Sequence, residues 1–65
     1  MFDRRLPIIF LVSSDPSVLQ ALESDLEVRF GNDTRVIAAR GPAAGLARLH
    51  EFARAGEPVA LLIAD

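Results

Sequence analysis

Cysteine, lysine, tryptophan and tyrosine are all missing from this chain of 65 residues, and there is a single histidine. Without cysteine there is no disulfide framework, no thiol nucleophile and no thiolate-bound zinc, and a reducing compartment suits such a chain. Without lysine there is no Schiff base, no amine nucleophile and no phosphate-pairing ammonium. His50 has no second histidine with which to share a metal, and it reads as a helix-surface or boundary residue. Basic charge is short as well. Seven arginines face nine acids, a net charge of -2, so no basic surface is expected for a nucleic-acid backbone. No apolar run approaches the ~20 residues of a bilayer-spanning helix. Arg4 and Arg5 ahead of the apolar stretch 6–12 imitate a signal peptide only loosely: Asp3 dilutes the charge, Pro7 interrupts the stretch, and no small-x-small cleavage site follows. Neither nucleic acid nor membrane is an expected partner.

What is present is enough apolar side chain to pack. Half of the residues (51%) are hydrophobic, which places the chain among globular rather than disordered sequences. The length allows one domain, and a chain this short buries only about 60% of its unfolded surface. Residues 7–13, "PIIFLVS", form a continuous rather than alternating apolar run, the mark of a strand covered on both faces. Asp15 followed by Pro16 reads as an N-cap and first helical residue. Val18, Leu19, Leu22, Leu26 and Phe30 then repeat at helical spacing, with Gln20, Glu23, Glu27 and Arg29 left for water. Gly31 and Asn32 are expected to end this helix in left-handed backbone.

A second strand is expected over residues 34–39, "TRVIAA", alternating enough to lie at an edge. After Arg40-Gly41-Pro42, Leu46, Leu49, Phe52 and Ala53 share one helical face while Arg48, Glu51 and Arg54 project away. Gly45 weakens that helix by about 1 kcal/mol relative to alanine, so close approach to the sheet is the expected compensation. Gly56 ends it, and residues 58–64, "PVALLIA", supply a third strand leading to Asp65.

Strand, helix, strand, helix, strand, joined by right-handed crossovers, gives an α/β fold with a doubly wound parallel sheet. Its βαβαβ portion has strand order 2-1-3 and a helix on each face. The crevice beyond the carboxyl ends of the first and third strands is where ligands bind in such sheets. Ser13, Ser14, Asp15 and Asp65 are expected there, and Arg40 is within reach of it. The third strand keeps an unpaired edge, which invites another chain, including a second copy. The expected unit is a single partial domain over residues 1–65, completed by more chain or by another copy.

The stretches "IIFLVSSDPSVLQAL", "GPAAGLARL" and "GEPVALLIAD" resemble the N-terminal half of a response-regulator receiver domain, the flavodoxin-like phosphorelay module of two-component signalling. The segment "RFGNDTRVIAARGPAAGLARL", with "GEPVALLIAD" after it, further resembles receivers fused ahead of thioredoxin-reductase-like flavoenzymes. The resemblance implies a cytoplasmic, non-enzymatic module whose partner is a histidine kinase or a fused output domain. It also implies that Asp65 is the phosphoacceptor, and that magnesium is held by an acid pair with Asp65. Here that pair is replaced by Ser13 and Ser14, while Asp15 matches the acid before the proline and is the remaining candidate ligand. Hydroxyls bring dipoles but no charge, so magnesium-dependent phosphoryl acceptance is expected to fail in this pseudo-receiver. The alternatives are the start of a flavin- or nucleotide-binding α/β domain, and a structural fragment with no activity of its own. For the former, the turn "SSDPS" lacks the glycines that let a backbone approach a pyrophosphate.

Overall fold

The computed structural model describes residues 6–64. Five elements alternate along it: β1 (Ile8–Ser13), α1 (Pro16–Phe30), β2 (Arg35–Arg40), α2 (Pro42–Ala55) and β3 (Val59–Ala64). All strand pairs are parallel and the sheet order is β2-β1-β3, the flavodoxin-like βαβαβ arrangement expected.

The central position of β1 explains its composition. Ile8, Ile9, Phe10 and Leu11 are all buried, because successive side chains point to opposite faces and both faces are covered. Ile8 and Phe10 pack with Ala39 of β2 and Phe52 of α2, joined by Val12, Ile37 and Leu49. Ile9 and Leu11 pack with Leu19 of α1, joined by Leu22, Leu26, Val36, Ala38 and Ile63. The helices therefore lie on opposite faces of the sheet. On the α2 side the rings of Phe10 and Phe52 meet edge to face, 5.2 Å apart at 86°. Such a pair contributes about 0.5–1.5 kcal/mol beyond the area it buries. Arg48, expected to project away from this face, instead holds its guanidinium 5.3 Å from the Phe52 ring centre. A long aliphatic stem lets it cover the ring while its charge stays in water, 3.6 Å from Glu51.

Only part of each predicted stripe is buried. Along α1, Leu19, Leu22 and Leu26 pack, whereas Val18 and Phe30 remain exposed. Along α2, Leu49 and Phe52 pack, but Leu46 is 59% exposed. Both helices sit over β1 and β2, so residues on their β3 flanks reach past the covered part of the sheet.

The first helix also ends differently from expectation. Gly31 has right-handed backbone (φ -62°, ψ -22°), and no non-glycine among the described residues has positive φ. The Phe30 carbonyl accepts instead from the N–H groups of Asp33 and Thr34, both at 3.0 Å, and from Thr34 Oγ1 at 2.8 Å. With that carbonyl satisfied by the turn, a left-handed residue has no bond left to make. Gly56 does close α2 in left-handed backbone (φ 69°), and the next N–H, of Glu57, reaches the Phe52 carbonyl at 2.9 Å.

A clamp at the amino-terminal end of the sheet fixes the strand starts relative to one another. Arg35 donates from Nη2 and Nη1 to the Glu57 carboxylate at 2.7 and 3.1 Å, and from Nη2 and Nε to the Leu6 carbonyl at 2.8 and 3.0 Å. The hydrogen bonds to Glu57 raise the Arg35 guanidinium above its ordinary range, against a smaller lowering from desolvation. The planar fork suits this geometry as an ammonium would not.

The third strand is the least covered. It pairs with β1 along one side, through a register shift that sets Ile8 opposite Val59 and Ile9 opposite Leu61. Of its six residues all but Ile63 are exposed, with Leu61 at 49% and Leu62 at 48%. Among the described residues no strand pairs its other side.

Candidate functional site

The carboxyl ends of β1 and β3 and the start of α2 enclose a crevice lined by Val12, Ser13, Ser14, Gly41, Pro42 and Ala64. Its position follows from the topology, because the chain leaves β1 toward β2 on one side and returns to β3 on the other. Ser13 and Ser14 are thus where the sequence placed them. Asp65, the remaining candidate at this end, lies outside the described residues, as do Arg4 and Arg5. Arg40 ends β2 exposed and is not among the lining residues.

The loop between β1 and α1 is held by its own hydrogen bonds. Ser13 is 4% exposed, and its Oγ accepts from the backbone N–H of Asp15 at 3.1 Å. The Asp15 carboxylate turns to the helix: its Oδ1 accepts from Ser17 N–H at 2.9 Å and from Val18 N–H at 3.4 Å. With extended backbone at Asp15 and Pro16 as the first helical residue, this is an N-cap in the full sense. The carbonyl of Ser13 accepts from Gly41 N–H at 3.0 Å, which ties the end of β1 to the turn that opens α2. Gly41 takes φ 85°, so only glycine makes that turn without strain.

These bonds bear directly on what the crevice can hold. Magnesium takes oxygen ligands in a strict octahedron and is retained in protein sites chiefly by carboxylates. No group of three or more acids, histidines or cysteines converges anywhere among the described residues. Among them, too, no buried side-chain nitrogen or oxygen lacks a hydrogen-bond partner, so none is held in waiting for a cation. The Asp15 carboxylate, expected as a remaining ligand, is directed at amides of α1 instead. Among the described residues the lining of the crevice carries no carboxylate. The same carboxylate accepts from the first free amides of α1, the donors that a phosphate at a helix N-terminus would use.

A second surface lies beside the crevice and was only half visible in the sequence. On the α2 side of β3, an apolar groove is lined by Val12, Gly45, Leu46, Leu49 and Leu62. On the α1 side, another is lined by Leu11, Val18, Leu22 and Ile63. Between them runs the open edge of β3, whose six residues carry no charge. The open edge was expected from strand order. The grooves were not, because periodicity assigns Leu46 and Val18 to buried stripes and says nothing about how far each helix reaches over the sheet.

The Arg35–Glu57 clamp is the other feature that sequence reasoning missed. Its partners are 22 positions apart, and it is the pairing of both β2 and β3 with β1 that brings them together. Scans of the chain against protein-family models, curated proteins and solved structures return no match.

Proposed function

We propose that this chain is a receiver-like signalling or protein-interaction module that has given up magnesium-dependent aspartyl phosphorylation. The observation that carries the reading is the run of hydrogen bonds at the end of β1. Ser13 Oγ is engaged by Asp15 N–H, and the Asp15 carboxylate is engaged by Ser17 and Val18. In a working receiver these positions would bring negative charge to a cation; here the side chains stabilise the loop and the helix start. Phosphoryl transfer to Asp65 would therefore bring two anions together with little to offset their repulsion.

Partner contact then falls to the surface that does not depend on phosphate. The uncharged edge of β3 offers backbone donors and acceptors, and the grooves on either side accept apolar side chains, the elements of recognition by strand addition. A histidine kinase, a fused output domain or a second copy of the chain would each engage this end of the sheet. The α/β topology supports the reading only in so far as it puts crevice and edge side by side, since such folds host many functions.

The test is incubation of the chain with magnesium and acetyl phosphate, a small phosphoryl donor, followed by intact-mass measurement. The expected result is no phosphoryl adduct. An adduct that maps to Asp65 and is removed by hydroxylamine, which cleaves acyl phosphates, would overturn the loss of phosphoryl chemistry.

A further inference from the structure

We draw no further inference here: the strongest candidate, the open edge of β3 with the apolar grooves that flank it against α1 and α2, belongs to the contact surface already proposed, and nothing in the structure shows what covers it.

Discussion

The hydroxyl of Ser13 accepts the backbone N–H of Asp15 at 3.1 Å. Asp15 has extended backbone, and from it its carboxylate caps α1, so the two side chains of the polar turn both bond to backbone amides of the loop and helix start.

Replacing Asp15 tests the capping role. Asp15→Ala is expected to lower stability by about 1 kcal/mol, the usual cost of losing an N-cap, while Asp15→Asn or Asp15→Ser retains most of it. Urea unfolding of the three variants measures this. Equal losses in all three would mean that the negative charge matters rather than the cap.

Gly45 packs α2 directly against Val12 of the sheet. A Cβ there would sit 2.8 and 2.9 Å from the two Val12 methyl groups, and valine has little rotamer freedom with which to yield. Alanine gains up to about 1 kcal/mol of helix propensity but overpacks the contact at about 1–3 kcal/mol. Gly45→Ala is expected to be net destabilising, and Val12→Ala in the same chain is expected to recover part of the loss. A double-mutant cycle showing no coupling between the two positions would contradict this packing.

Arg35 gives a prediction about pH. Its pKa is raised in the folded chain by Glu57, and a raised basic group contributes stability that is complete below its unfolded value and fades only as pH climbs past the folded one. Titration of Arg35 therefore adds no pH dependence between neutral and mildly alkaline solution. Arg35→Met is expected to lower the thermal midpoint by the same amount at both pH values. Arg35→Lys is expected to recover only part of it, because an ammonium cannot make the paired bonds to Glu57 and still reach Leu6.

The sequence made the architecture legible for definite reasons. The apolar run of β1 has the pattern of a strand covered on both faces, and Asp15-Pro16 marked the start of a helix to the residue. Gly45 and Gly56 were read correctly because each glycine answered a specific need, a close approach in one case and a left-handed cap in the other. Gly31 was misread because a Gly-Asn pair signals left-handed backbone, while Thr34, three residues on, supplies a competing hydroxyl that makes it unnecessary. The exposed flanks of Val18 and Leu46 were invisible for a different reason. Periodicity shows which face of a helix is apolar, but the width of that face that finds cover depends on where the helix lies across the sheet. At the candidate site, the positions of Ser13 and Ser14 followed from topology, and the capping role of Asp15 from local chemistry. The long-range clamp of Arg35 on Glu57 needed the fold.

Core and edge should respond oppositely to substitution. Phe52→Ala removes a buried ring that meets Phe10 edge to face and is expected to cost about 3–5 kcal/mol, a large share of the stability of so small a domain. Leu62→Lys, on the half-exposed strand, is expected to change stability by no more than about 0.5 kcal/mol. The amides of β1 should then be the most protected from hydrogen exchange in both wild type and Leu62→Lys. A loss in Leu62→Lys comparable with that in Phe52→Ala would show that β3 is part of the core rather than a contact surface.

The central claim is that the turn after β1 no longer serves a phosphoryl group, and it is tested most directly by a ¹H–¹⁵N correlation spectrum titrated with magnesium and beryllofluoride, a mimic of bound phosphate. Dispersed peaks with no saturable shifts at Ser13, Ser14, Asp15 or Asp65 are the predicted result. Saturable shifts at those four positions would show that the hydroxyls still support the acidic-site chemistry, and would contradict the account.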